Sequence, residues 1–130
     1  MVIALTSLNR LPAVNYGGTE RVIWDLSHEL QKLGNKVYII GPEVDSFEHA
    51  SAINCKLDDD LVKNLPNDID IVHFHSPPSK NFPLPHVFTM HGNAEFGSKL
   101  PIQTIFISKN QAKRHGGDHF VYNGLSWSDN

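Results

Sequence analysis

Cysteine is nearly missing from this sequence: Cys55 is the single one in 130 residues. That excludes an internal disulfide, and the residue reads most simply as a small, partly buried hydrophobe in a reducing compartment. Long apolar runs are missing as well. Nothing approaches the roughly 18 consecutive apolar residues of a membrane-spanning helix, so no span is expected. Positive charge is in slight deficit, with 11 Lys and Arg against 14 Asp and Glu and a net charge of −3. Nucleic acids and anionic lipid surfaces attract clustered cations, and neither partner is expected here. Met1 leads directly into Val2-Ile3-Ala4-Leu5, without the basic region and small-residue cleavage site of a secretory signal. A cytoplasmic location is therefore expected.

Familiar chemical signatures are absent too. There is no G-x-G-x-x-G and no G-x-x-x-x-G-K-[ST]. No nucleophile elbow, Cys–His pairing or pair of carboxylates with an obvious common site stands out. Eight histidines are present, but a zinc site wants three or four converging ligands and no compact Cys/His spacing exists. No metal and no cofactor are expected. The three adjacent aspartates Asp58-Asp59-Asp60 diverge by about 100° per residue on a helix, and suit an electropositive helix start better than a metal.

What is present is the pattern of a single α/β domain spanning residues 1–130. Composition is ordinary for a globular chain, 40% hydrophobic and 19% charged. Residues 2–5 form a short apolar run suited to a strand buried on both faces. After a loop broken by Pro12 and by Gly17-Gly18, a helix is expected over 19–33, with Val22, Ile23, Leu26, Leu30 and Leu33 on one stripe. Trp24 points away from that stripe. It suits either packing beneath a neighbouring loop or an exposed position near the rim. Gly34-Asn35 is a stop signal with glycine placed for a left-handed cap. Strands are expected over 37–40, 69–74, 86–90, 104–107 and 119–122, with an edge strand over 52–57 and short helices over 58–65 and 109–114, the second capped by Ser108. Strands alternating with helices imply an open parallel sheet with helices on its faces.

In such sheets ligands bind beyond the carboxyl ends of the strands, where strand order reverses. The residues just past each expected strand are the candidates: 9–18, Gly41-Pro42, 75–78, His91-Gly92-Asn93 and Ser108. This rim is polar and rich in glycine and histidine. Gly17-Gly18-Thr19 stands at a helix start, where backbone N–H groups favour an anion and glycine permits close approach. A plain flexible turn explains the same glycines. Glu20 favours the helix dipole itself and competes with a bound anion. His73 and His75 alternate along a strand and share a face. His73, inside the apolar run, is read as a hydrogen-bonded sheet residue. His91 emerges at the ligand edge, either as a functional group or as a solvated loop histidine.

Five segments in register carry a resemblance: NYGGTERVIWDLSHELQKLGNKVYIIGP (15–42), DIVHFHSP (70–77), FTMHGN (88–93), FISKNQAKRHG (106–116) and FVYNGLSW (120–127). Together they resemble the N-terminal domain of the retaining family 4 glycosyltransferases, over residues 3–127. The resemblance implies a Rossmann-like domain that forms one half of a GT-B architecture. In it the N-terminal half mainly binds the acceptor, and a C-terminal half binds most of the nucleotide-sugar donor. It implies that Gly17 and Gly18 approach the donor phosphates and acceptor, and that His91 contacts the transferred sugar as the catalytic-site residue. Thr19, His75, Asn93 and Ser108 are the accompanying substrate- and phosphate-binding candidates. Asn123-Gly124 matches the segment that leads to the second domain, where Ser126 replaces the family's usual aspartate, and the connection over 41–68 is short for the family.

The family's donor half bears two glutamates eight positions apart. Glu20, Glu29, Glu43, Glu48 and Glu95 include no such pair, so the donor-binding domain is expected to be absent. The implied function is the acceptor-side domain of a retaining nucleotide-sugar-dependent glycosyltransferase, inactive without its donor-binding half, its partners being a shared donor and an unspecified acceptor. The alternative is a stand-alone, non-catalytic sugar- or phosphate-binding module of the same fold. A small phosphate-binding α/β enzyme is a third reading, disfavoured by the lack of a complete catalytic set. Self-association through an orphaned domain face is a further expectation.

Overall fold

A computed structural model describes residues 1–8, 11, 18–45, 48–58, 61–79, 81–91, 104–107, 109–117 and 119–121. Six parallel strands form one sheet in the order β3-β2-β1-β4-β5-β6. They are β1 (Val2–Thr6), β2 (Lys36–Gly41), β3 (Ser51–Asn54), β4 (Ile71–Phe74), β5 (His86–Met90) and β6 (Thr104–Phe106). Helix α1 (Gly18–Lys32) crosses from β1 to β2, and α2 (Lys109–Arg114) follows β6.

Side-chain alternation along the strands divides the core in two. One face gathers Ile3, Leu5, Val37 and Ile39, together with Ile23 of α1. The other gathers Ala4, Ile40, Val72, Phe74, Phe88, Met90 and Phe106, with Ala112 of α2. Helices thus cover both faces, which is why the strands read as continuous apolar runs.

Helix α1 ends as its sequence dictates. Gly34 has φ +94, its N–H reaches Gln31 O at 3.0 Å, and Asn35 N–H reaches Leu30 O at 3.2 Å, the two bonds of a Schellman cap. The expected stripe is shorter than the sequence suggests. Ile23, Leu26 and Leu30 pack on the sheet, whereas Leu33 lies in the capping turn and is 80% exposed. Trp24 takes the packed option, edge-on to His49 at 5.0 Å. Ser27 donates to Trp24 O at 2.7 Å and stands 3.0 Å from His49 Nε2, fastening the 48–50 segment to the helix.

Two other expectations change. Of the expected 58–65 helix, residues 59–60 lie outside the described residues and the described part holds a single 3₁₀ turn, Leu61–Asn64; Leu61 is buried, and Pro66 disfavours helical geometry at the residue before it. Of the expected strand over 119–122, the described residues 119–121 make one parallel bridge, Phe106 to Phe120. Phe120 and Val121 are 37% and 65% exposed, so the described part of this segment has little apolar burial to extend the ladder. At the end of β2, a Cβ on Gly41 would collide with the carbonyl oxygen of Ser7, so glycine is required where β2 passes the segment leaving β1. Among the described residues, no helix is long and apolar enough to cross a membrane.

Candidate functional site

The reversal in strand order falls between β1 and β4, since β1 connects through α1 to β2 on one side and pairs with β4 on the other. The crevice beyond the carboxyl ends of these two strands is the expected ligand position of an open α/β sheet. Thr6, the last residue of β1, is fully buried. Its Oγ1 accepts the backbone N–H of His75 at 3.0 Å, so the chain just past β4 is tied to β1.

Register then builds a histidine row. His73 of β4 lies opposite Val87 of β5. Thr89 is two residues further along β5, on the same face, and its Oγ1 lies 2.6 Å from His73 Nε2. The same offset carried two residues onward brings His75 to His91, with Nδ1 of His75 2.8 Å from Nε2 of His91. The rings stack along the row. His73 and His75 have centroids 4.4 Å apart at 22°, and His75 and His91 are 5.1 Å apart at 25°.

Burial decides the charge of this row. It is the leading cause that lowers His73 to about 4, with the nearby His91 adding to it. His75 is held well below the ordinary histidine range, first by burial and then by its two histidine neighbours. His91 is lowered by burial, while the Glu20 carboxylate in the first turn of α1 pulls the other way. The imidazoles are therefore neutral at pH 7, and act through hydrogen bonds rather than as fixed cations. Nε2 of His75 is buried and has no hydrogen-bond partner among the described residues. Among the described residues, no group of three His, Cys, Asp or Glu side chains is placed to hold a metal ion.

Residues 16–128 match the profile of Glycosyltransferase Family 4. The chain belongs to that family. Its fold is similar to that of AviGT4, a glycosyltransferase involved in avilamycin A biosynthesis, with a TM-score of 0.80 at 17% sequence identity. The match covers 98% of this chain and 43% of that one, so the chain spans less than half the length of that neighbour. At this identity the likeness is one of fold: the Rossmann-like α/β sheet of a GT-B glycosyltransferase. Curated protein sequences show no match to the chain.

In this family 4 domain the structure brings together His75 and His91, and the electrostatic influence of Glu20 on His91 links them to the start of α1. Gly18 opens α1 and Thr19 follows it in the first turn, where their N–H groups belong to the unpaired helix end. Gly17, Asn93, Ser108, Asn123 and Gly124 lie outside the described residues. His73 is the hydrogen-bonded sheet residue its position in an apolar run implies. Sequence reasoning overlooked Thr6 and Thr89. Thr89 had a signal, because Thr89 and His91 repeat on β5 the two-residue polar spacing of His73 and His75 on β4. Thr6 had none, since a threonine closing an apolar strand is unexceptional.

Proposed function

We propose that this chain is the acceptor-side domain of a retaining, nucleotide-sugar-dependent glycosyltransferase. The observation that carries the reading is the His75–His91 pair beside the strand-order reversal, with His75 tied to β1 and His91 under the electrostatic influence of Glu20 in the first turn of α1. That position suits a sugar at His91 and a donor phosphate near Gly17, Gly18 and Thr19, where helix N–H groups and a bare glycine backbone favour an anion. The donor's nucleotide is held by a second, donor-binding domain or chain, which also supplies the positive charge that stabilises the departing diphosphate. Closure of the two halves excludes water from the cleft. A reducing, cytoplasmic setting fits the thiol of Cys55, which burial pushes up and away from reactivity.

An NMR titration of the 130-residue chain with UDP, GDP, UDP-glucose and GDP-mannose tests this. The expected result is weak binding, with amide shifts centred on Thr19, His75 and His91 and larger for a sugar conjugate than for its bare nucleotide. Sugar transfer by the chain alone is expected to be undetectable. Shifts confined to other surfaces would overturn the placement of the site. Tight binding abolished by Gly18→Val would instead favour a self-sufficient phosphate-binding module.

A further inference from the structure

The hydrogen bond between His75 and His91 has two possible directions, and burial distinguishes them. A neutral imidazole carries one N–H. If His91 Nε2 donates, His75 accepts through Nδ1 and must carry its own proton on Nε2. That atom is buried without a partner among the described residues, so the arrangement strands an N–H donor in the interior. If His75 Nδ1 donates, only a bare lone pair is left at His75 Nε2. Orphaned buried donors are the rarer and costlier case, so the second direction prevails. His91 then accepts through Nε2 and keeps its proton on Nδ1. That Nδ1–H is the ring's one donor, on a residue half-buried just past the end of β5, with the Glu20 carboxylate acting on it from α1.

We propose that His75 is a positioning residue that holds His91 in its Nδ1–H tautomer, so that His91 meets an oxygen of the bound sugar as a hydrogen-bond donor. The sugar in this statement rests on the function proposed above; the tautomer does not. The layer behind is built to keep His75 in place. His73 stacks on it at 4.4 Å and is itself held by Thr89, and Thr6 fixes its backbone. The arrangement also bars His91 from acid–base work at neutral pH. Its Nε2 is occupied, and a second proton there would have to be donated back to His75, forcing that residue's proton onto the buried Nε2. Among the described residues, the groups acting on His91 are His75 and His73 from the β4 side and Glu20 from α1.

The test is the two-bond proton–nitrogen correlation spectrum of the imidazoles in the ligand-free chain at pH 7.5. The expected spectrum shows His91 with a protonated Nδ1 and a bare Nε2, and His75 likewise protonated on Nδ1. In His75→Phe, which keeps a ring and removes the donor, His91 loses the Nδ1–H form as its majority tautomer. In His75→Asn, whose amide places an N–H close to where Nδ1 stood, the Nδ1–H form is retained. A protonated Nε2 on His91 in the parent chain, or an unchanged His91 tautomer in His75→Phe, overturns the proposal. The parent spectrum decides even if a variant does not fold. Addition of UDP-glucose or GDP-mannose then separates the two readings. A His91 Nδ1–H signal that moves with the sugar conjugate supports both, and an Nδ1–H tautomer indifferent to every sugar conjugate removes the sugar but leaves the role of His75 standing.

Discussion

Strands β4 and β5 have two faces that differ in chemistry over the same few residues. On one, Val72, Phe74, Phe88 and Met90 join the larger apolar core. On the other, His73, His75, Thr89 and His91 form a hydrogen-bonded, stacked row. Both faces are largely covered: Phe88 is 2% exposed, Thr89 8% and His75 9%. An apolar residue at His75 would be the stabilising choice in an ordinary core. Strands β4 and β5 thus carry apolar packing on one face and hydrogen-bonding groups on the other, with the polar row running to the end of the strands where the fold places a ligand.

The largest effect should come from the apolar face. Phe88→Ala removes a side chain packed between the β4–β5 layer and its cover, and should lower unfolding stability by about 3–5 kcal/mol in urea denaturation. The loss should be the same at pH 7.5 and pH 5, since Phe88 belongs to an apolar cluster. A loss below about 1 kcal/mol would mean that this face is not the stabilising one.

Next in size is the response of the polar face to acid. In the unfolded chain these histidines bind protons near 6.5, whereas folded His73 does so only at about 4. The unfolded state therefore binds more protons between these values, and stability falls as pH drops. The contribution of His73 is complete above pH 6.5 and lost by about pH 4, with a size of about 3 kcal/mol at 1.36 kcal/mol per unit. His75 and His91 are shifted in the same direction and steepen the fall. Urea midpoints taken from pH 7.5 to 4 check it, and His73→Gln should flatten the acid limb. A curve flat across that window in the parent chain would contradict the buried, neutral row.

How much of this was legible in the sequence follows from which distances are local. The β1–α1–β2 unit could be read because its apolar strands, its helical stripe and the Gly34 stop are all encoded within a few residues of each other. The shared face of His73 and His75 could be read from parity alone. Their pairing with Thr89 and His91 could not, because it depends on the register of β4 against β5 across the proline-containing connection between them, which parity leaves undetermined. The same locality explains the errors. Leu33 continues the 3.6-residue period of α1, yet period says nothing of where the cap lifts the chain from the sheet. Residues 119–122 have strand-like composition, but whether a ladder extends depends on a neighbour to cover it.

The finest distinction between the two faces is at Thr89, which has the β-branched shape of a core valine and the hydroxyl of a site residue. Thr89→Val keeps the shape and removes the oxygen 2.6 Å from His73 Nε2, leaving a buried ring nitrogen unsatisfied. The expected cost is about 1–3 kcal/mol, the penalty of an orphaned polar group. Thr89→Ser does the reverse, keeping the hydroxyl and losing a methyl group, for about 1 kcal/mol. If valine is the more harmful change, the hydrogen bond is what this position supplies, and the row behind His75 is held by polar contacts as far back as β5. If serine is the more harmful, Thr89 belongs to the packing, and His73 keeps its place by stacking on His75 alone.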